Sequence, residues 1–147
     1  MSKKYSKAQT LEYVKNRVSY FKVPKLLPFK AIQFESLSHQ NIIESINNNF
    51  FGSIVIRSSA VGEDDQSNSA AGEYTSVLNI PSDNPEEITI AINTVIASYK
   101  KKRPLMPDDE VIIQEMVTNT SMSGVIFTHD LNTGAPYYVL ITMINQA

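Results

Sequence analysis

A short β-branched run at residues 53–57, Ser-Ile-Val-Ile-Arg, constrains the fold most. Its apolar residues do not alternate with polar ones, which is typical of a strand buried on both faces rather than of an amphipathic helix. Residues 58–71 then hold mostly small and acidic side chains without apolar periodicity. The sequence therefore predicts a buried strand that leads from Arg57 into an exposed loop.

Arg57 and the loop after it have the chemistry of a phosphate site. A guanidinium offers a fixed fork of charged donors, and Ser, Ala and Gly let backbone N–H groups approach an anion closely. An arginine at a strand end can equally be a surface or ion-pair residue, so the pattern alone leaves both interpretations open. The acidic residues Glu63, Asp64 and Asp65 can bind Mg²⁺, pair with Arg57, or be solvated.

Apolar periodicity predicts two helices before this strand. The first spans residues 6–21, with a capping box between Ser6 and Gln9 and with Phe21 on its buried stripe. Residues 23–29 contain two prolines and are expected to be extended. The second helix is expected to begin near Ser38 and to end at the asparagine cluster of residues 47–49.

A third helix is predicted after the loop. Asn84 can cap it, and Pro85 suits its first position. Residues 100–103, Lys-Lys-Lys-Arg, are interpreted as its solvated C-terminus rather than as an anion site. Its expected buried stripe consists of Ile88, Ala91, Ile92, Val95, Ile96 and Tyr99.

Further strands are expected at residues 30–34, 75–80, 110–117, 123–128 and 137–143. Because short connectors join the last three, an antiparallel meander is the economical arrangement. The predicted fold class is α+β: helices packed on a mixed, mostly antiparallel sheet. A length of 147 residues fits a single domain or lobe over 1–147, with an N-terminal helical segment (1–50) and a core (51–147).

Composition excludes several function classes. The net charge is −2, which argues against a nucleic-acid partner, and the absence of cysteine excludes disulfides, thiolate catalysis and zinc-thiolate sites. The sequence has no apolar run near the roughly 18 residues that a membrane span needs. We therefore expect a cytoplasmic protein without a membrane partner.

Two motifs stand on either side of the third helix. The first begins Arg57-Ser58-Ser59-Ala60 and continues through Glu63-Asp64 to Ser69-Ala70-Ala71-Gly72-Glu73. The second begins Gln114-Glu115-Met116-Val117 and continues through residues 123–128 to Asp130 and Thr133-Gly134. Together they resemble the ATP-binding domain of the phosphoenolpyruvate synthase and pyruvate phosphate dikinase family, whose nucleotide lies between two lobes of an ATP-grasp fold.

The resemblance implies a set of nucleotide contacts. It implies that Arg57, Gly72 and Ser76 contact the phosphates. A strand that alternates polar and apolar groups can hold adenine through its backbone and Gln114, with a methionine on the ring; the alternative is a half-buried hairpin in which Gln114 is solvated. The adenine contacts expected on this basis are Gln114, Glu115, Met116 and Val117.

A phosphate-binding lysine is harder to assign. The family carries a lysine near its N-terminus, before a Val-Pro-Pro turn, and Lys7 has a comparable place before Val23-Pro24. The glycine that follows the family's lysine is missing here, and Lys25 replaces the second proline. Lys25 or Lys30 can take the role instead, and solvation is the alternative for all three lysines.

For the whole enzyme, the resemblance implies transfer of a phosphoryl group from ATP to a histidine and then to pyruvate or a related acceptor. Neither His39 nor His129 has the setting of the family's phosphorylated histidine, and no catalytic residue is assigned within the chain. Mg²⁺ is expected as a second cofactor beside ATP, with ligands outside this chain.

We expect the chain to be the N-terminal part of an ATP-dependent phosphotransferase and to be catalytically incomplete alone. Its expected partners are ATP, a C-terminal lobe, a phosphohistidine domain and, for the isolated chain, a second copy in a homodimer. The alternatives are a regulatory or interaction module that kept the fold without catalysis, and an ordinary α+β domain with coincidental motifs.

Overall fold

In the computed structural model, the chain forms two compact units, Met1–Met116 and Val117–Ala147. Each unit is described by itself. The structure describes residues 5–36, 39–60, 74–127, 129–130, 133–136 and 139–144, the last segment for its backbone only. None of the helices in these ranges is long and apolar enough to cross a bilayer.

The described residues of the first unit form four helices and a four-stranded sheet. The helices are α1 (Lys7–Lys15), α2 (Ala31–Glu35), α3 (His39–Asn49) and α4 (Pro85–Lys100). The strands are β1 (Leu26–Lys30), β2 (Ser53–Ser59), β3 (Val77–Pro81) and β4 (Glu110–Glu115). They lie in the order β1-β4-β2-β3, and every described pairing is antiparallel. The predicted α+β class is confirmed.

The predicted buried strand is β2, and it continues two residues past Arg57 to Ser59. It lies between β3 and β4, and Ile54, Val55 and Ile56 are all buried. A strand with neighbours on both edges and layers on both faces needs apolar side chains in succession, as the sequence has here.

The main core lies between the sheet and α4. Ile54 and Ile56 of β2 join Val111 and Ile113 of β4 in one apolar cluster with α2, α3 and α4. All six residues of the predicted α4 stripe are buried. The cap is also as predicted, because the Asn84 side chain accepts from the Glu87 N–H at 3.2 Å and Pro85 opens the helix.

The first helix has its predicted capping box but is shorter than predicted. The Ser6 hydroxyl accepts from the Gln9 N–H, and the Gln9 side chain accepts in return from the Ser6 N–H. The helix ends at Lys15, where the Arg17 guanidinium donates to the Tyr13 carbonyl and satisfies one of its last acceptors. Phe21 lies beyond the helix and is 74% exposed, so its predicted place on the buried stripe is wrong.

The strand predicted at residues 30–34 is also wrong. The strand comes earlier, as β1, and α2 follows it directly. β1 lies at the edge of the sheet and pairs with β4 alone among the described strands, which explains how it contains Pro28. An edge strand tolerates a residue without an N–H donor, because one side of it forms no ladder bonds.

The second unit contains a β-hairpin. Strands β5 (Met122–Phe127) and β6 (Val139–Ile144) pair antiparallel, with Gly124 opposite Thr142. The predicted hairpin is confirmed, but the predicted meander through β4 is wrong, because β4 pairs with β1 and β2 instead. Five of its six residues are buried, and such a strand is stable only in the centre of a covered sheet.

Asp130, Thr133 and Gly134 of the second motif form a turn between β5 and β6. The Asp130 carboxylate accepts from the Thr133 N–H at 2.7 Å and from the Thr133 hydroxyl at 2.8 Å. Gly134 has φ +68°, a conformation that glycine adopts without strain. These residues therefore have a local structural reason to be present.

The Tyr99 hydroxyl joins α4 to the two central strands. It accepts from the Ser59 N–H at 2.9 Å and donates to the Glu110 carbonyl at 2.6 Å, and Tyr99 is fully buried. Ser59 and Glu110 are cross-strand partners, so the hydroxyl bridges the last pair of residues before the chain leaves β2. The end of β2 is thereby fixed to α4.

The interpretation of residues 100–103 as solvated is wrong for Arg103. Its guanidinium forms a bidentate ion pair with Asp109, with both N–O distances 2.7 Å, and Asp109 is fully buried. These hydrogen bonds raise the pKa of Arg103 above its already high ordinary value, although burial opposes the shift. Asp109 also accepts from the Met106 N–H through its side chain and from the Ala31 N–H through its carbonyl. The pair connects the end of α4 to β4 and α2.

Replacing Tyr99 with phenylalanine is expected to lower the free energy of unfolding by about 1–3 kcal/mol, because two buried backbone groups lose a hydrogen-bond partner. Urea denaturation measures the change. Tyr20→Phe is the matched control, since Tyr20 is 95% exposed and its hydroxyl should contribute nothing. Equal stability of the two variants would contradict the bridge.

Arg103→Met is expected to destabilise the protein by about 3–5 kcal/mol, because it leaves the buried Asp109 carboxylate without its countercharge. Lys101→Met removes the same charge from an exposed neighbour and should change the unfolding free energy by less than about 0.5 kcal/mol. If thermal denaturation showed the two variants to be equally stable, the Arg103–Asp109 pair would not contribute to stability.

Candidate functional site

One face of the sheet carries Lys30, Arg57 and Gln114, three of the polar residues that the sequence singled out. Strand alternation and the pairing register place nine residues on it: Leu26, Pro28, Lys30, Val55, Arg57, Ser59, Glu110, Ile112 and Gln114. Helix α1 packs here, because Ala8 contacts the cluster of Leu26 and Ile112. We call this surface the α1 face; the opposite face is the main core.

Arg57 and Gln114 meet on the α1 face. They are diagonal neighbours on β2 and β4, since Arg57 pairs with Ile112 and Val55 pairs with Gln114. The Arg57 Nη1 donates to the Gln114 Oε1 at 3.2 Å. Gln114 is only 6% exposed, so the interpretation of this residue as solvated is wrong. The structure thus brings one predicted phosphate contact and one predicted adenine contact together.

The first turn of α1, which carries Lys7, lies at the same end of the sheet. The Ala8 N–H donates to the Ser59 hydroxyl at 3.1 Å, and the Ser6 hydroxyl donates to the Glu110 carboxylate at 2.7 Å. Both contacts fix the residues beside Lys7 against the end of β2. Lys7 and Arg57 therefore belong to elements that meet where the chain enters residues 61–73.

Lys25 and Lys30, the alternatives to Lys7, have structural partners. Lys25 donates to the Asn49 carbonyl at the C-terminus of α3. Lys30 pairs with Glu110 at 3.1 Å and with Asp108 at 3.3 Å. Burial lowers the pKa of Lys30, but the hydrogen bonds and charges of the two carboxylates outweigh it and raise the pKa above its ordinary value. The structure thus gives each of these lysines a place in the scaffold.

Of the remaining predicted phosphate contacts, Ser76 is described and Gly72 is not. Ser76 is exposed and immediately precedes β3, whose Val77 pairs with Ile56. It therefore lies at the same end of the sheet as Arg57. Gly72 falls outside the described residues, as do the acidic residues 63–65.

The predicted adenine segment begins with the last two residues of β4, Gln114 and Glu115, at the end of the strand opposite Glu110. The Glu115 N–H donates to the Lys25 carbonyl at 2.9 Å, and the Met116 N–H donates to the Ser53 carbonyl at 3.0 Å. Met116 is half-buried, and Val117, which opens the second unit, is 59% exposed. These two N–H groups already donate within the sheet. A base would therefore contact other atoms of the segment.

A family model, pyruvate phosphate dikinase, AMP/ATP-binding domain, matches residues 30–144. The chain belongs to this family. Searches of curated proteins and of solved structures found no match.

Membership in the pyruvate phosphate dikinase AMP/ATP-binding family makes nucleotide binding the function of this domain and excludes a coincidental motif resemblance. The matched residues include Arg57, Ser76 and the segment from Gln114 to Val117. The match begins at Lys30 and so does not include α1, and the assignment of Lys7 depends on its place before Val23-Pro24 and on its position in α1.

The described residues do not fit a Mg²⁺ site. Among them, no group of three or more His, Cys, Asp or Glu side chains could hold a metal ion. Glu110, which accepts from the Ser6 hydroxyl, and Asp108 both pair with Lys30. We therefore derive no step of the chemistry through the metal.

Sequence reasoning missed the polar contacts that anchor α1. Ser6 and Lys30 both donate to the Glu110 carboxylate, and the Ser59 hydroxyl accepts from the Ala8 N–H. Ser6 was recognised as a helix cap, and Glu110 as the first residue of a strand. A polar residue at the end of each of these strands was a sign of such contacts. The sequence did not give their partners, because bonded residues are 51 to 104 positions apart in the chain.

Proposed function

We propose that this chain supplies the ATP-binding surface of a phosphotransferase that passes a phosphoryl group from ATP, through a histidine, to pyruvate or a related acceptor. The observation that carries the proposal is the guanidinium of Arg57, held on the α1 face within the segment that matches the AMP/ATP-binding family. Phosphoryl transfer depends mainly on positioning and on compensating negative charge, and a fixed arginine provides both.

In this proposal, the phosphates bind at the end of the sheet where β2 leads into residues 61–73. Arg57 contributes the charged fork, and Lys7 contributes a second cation from the first turn of α1. Gly72 and Ser76 complete the phosphate contacts from the segment before β3. The contacts of Ser6 and Ala8 with Glu110 and Ser59 support this arrangement, because they fix α1 against the sheet.

The base binds toward the other end of β4 in the proposal. Met116 packs on the adenine ring, while Glu115 and Val117 offer backbone acceptors or side-chain contacts. Ile112 is the cross-strand partner of Arg57, and Met116 follows it by four residues. At the rise of a strand, this places Met116 about 13 Å from Ile112 along the chain. An extended nucleotide places its base and its terminal phosphates at a comparable separation, which supports one continuous site.

The remaining parts of the reaction are assigned to other regions of the enzyme. The proposal places the ligands of Mg²⁺, the phosphorylated histidine and the second lobe outside the described residues. The residues of the α1 face bind and orient the triphosphate, and none of them accepts the phosphoryl group.

Arg57→Ala is expected to weaken ATP binding by about 1.5–3 kcal/mol, which is roughly 10- to 150-fold in the dissociation constant, because charged hydrogen bonds to phosphate are lost. Isothermal titration calorimetry measures the change. Arg17→Ala is the control, since Arg17 lies past the opposite end of α1 and bonds the Tyr13 carbonyl. Unchanged affinity in Arg57→Ala would remove this arginine from the site, and wild-type protein that binds a partner but no ATP would favour the interaction module instead.

Lys7→Ala is expected to weaken ATP binding more than Lys15→Ala, because Lys7 lies on the first turn of α1 and Lys15 on the last. Loss of one charged contact predicts a change of about 1.5–3 kcal/mol for Lys7 and a change near zero for Lys15. The comparison holds net charge and helix constant. Equal affinities of the two variants would argue that α1 contributes no phosphate ligand.

A further inference from the structure

Gln114 occupies an unusual place for an amide side chain. It lies on β4, the strand between β1 and β2, and its cross-strand partners on the α1 face are Leu26 and Val55, each 7% exposed. Gln114 itself is 6% exposed. A buried amide destabilises the fold unless it is hydrogen-bonded, so its partner indicates what the residue does.

The partner is Arg57, and its chemistry fixes the orientation of the amide. A guanidinium has donors only, so the carbonyl oxygen of Gln114 must face it, as the distance of 3.2 Å from Nη1 to Oε1 shows. An adenine-reading glutamine uses this oxygen to accept from the 6-amino group of the base. Here the oxygen is directed to the arginine instead.

Arg57 differs from other buried or bridging cations of this protein in the charge of its partner. Arg103 pairs with Asp109, Lys30 with Glu110 and Asp108, and Lys100 with Glu35, so a carboxylate compensates each of these charges. Within the described part of the chain, Arg57 forms no ion pair with a carboxylate; its side-chain partner is the neutral amide. An amide orients a guanidinium without compensating its charge.

We infer that Gln114 is a positioning residue: it holds the guanidinium of Arg57 on the α1 face and leaves the positive charge available for the triphosphate. The inference rests on the proposed function and replaces the adenine contact expected for Gln114. It explains why an uncharged polar residue stands at a covered position in the middle of the sheet.

Two substitutions separate orientation from charge. Gln114→Met keeps the volume and removes the acceptor, so Arg57 loses its orientation but keeps its charge. Gln114→Glu keeps the shape and adds a carboxylate, which turns the contact into an ion pair and compensates the arginine. Both variants should weaken ATP binding, and Gln114→Glu should weaken it more, by at least about tenfold.

The control for the added charge is Gln40→Glu. Gln40 is exposed on the first turn of α3, which packs against the opposite face of the sheet. The variant has the same net charge as Gln114→Glu and should bind ATP like the wild type. A similar loss in both would mean that long-range repulsion, not the contact with Arg57, causes the effect.

The experiment is calorimetric titration of wild type and the three variants with ATP, ITP and inorganic tripolyphosphate, alongside thermal denaturation. A positioning role predicts that the Gln114 variants lose affinity for all three ligands by similar factors, so that the ratio of ATP to ITP affinity stays unchanged. It also predicts that Gln114→Glu melts near the wild-type temperature although it binds more weakly, which a merely structural role would not produce.

Other outcomes overturn the inference. A changed ratio of ATP to ITP affinity with unchanged tripolyphosphate binding would make Gln114 a reader of the base. Wild-type affinity in Gln114→Met and Gln114→Glu would show that Arg57 needs no orientation. Should Gln114→Glu fail to fold, Gln114→Met decides alone, by a loss of at least about fivefold or by none. Wild-type protein that binds neither ATP nor tripolyphosphate would overturn the proposed function together with the inference.

Discussion

The antiparallel pairing of β2 with β4 lies in the middle of the sheet, and the rest of the first unit depends on its register. The register runs from Ile54 opposite Glu115 to Ser59 opposite Glu110. It decides which side chains face the main core and which face α1. A shift by one residue would exchange the two sets, because successive side chains point to opposite faces. It would place Ile54 and Ile56 on the α1 face and Arg57 in the apolar core.

Two buried polar contacts hold this register from the helical side. The Tyr99 hydroxyl bridges Ser59 and Glu110, and the Arg103–Asp109 pair fixes the chain just before β4 begins. The Tyr99 hydroxyl and the Asp109 carboxylate are both buried, and burying either without a partner would destabilise the fold. The observed register gives each of them its partners. The Tyr99 bridge also fixes Ser59 at the end of β2, beside the proposed phosphate contacts.

The distribution of charge follows from the same geometry. Carboxylates compensate the charges of Lys30, Lys100 and Arg103, which join elements of the scaffold. Arg57 is held by an amide and keeps its charge on the α1 face. This difference separates a structural arginine from one suited to bind an anion, and it depends on partners that are distant in the sequence.

Much of the local structure was predictable from the sequence. The cap and buried stripe of α4, the capping box of α1 and the buried strand β2 depend on residues close together in the chain, and all were confirmed. The prediction failed where tertiary context overrode local pattern. β1 accepts Pro28 because it lies at a sheet edge, and Phe21 is exposed because α1 ends at Lys15.

The sequence by itself determined the family and the presence of the helices α1, α3 and α4, because motifs and periodicity are encoded by neighbouring positions. Only the tertiary structure decided the partners: Gln114 with Arg57, Lys30 with Glu110, and Asp109 with Arg103. The physical reason is that a hydrogen bond or an ion pair depends on distance in space, and the sheet register brings together side chains that the sequence keeps apart.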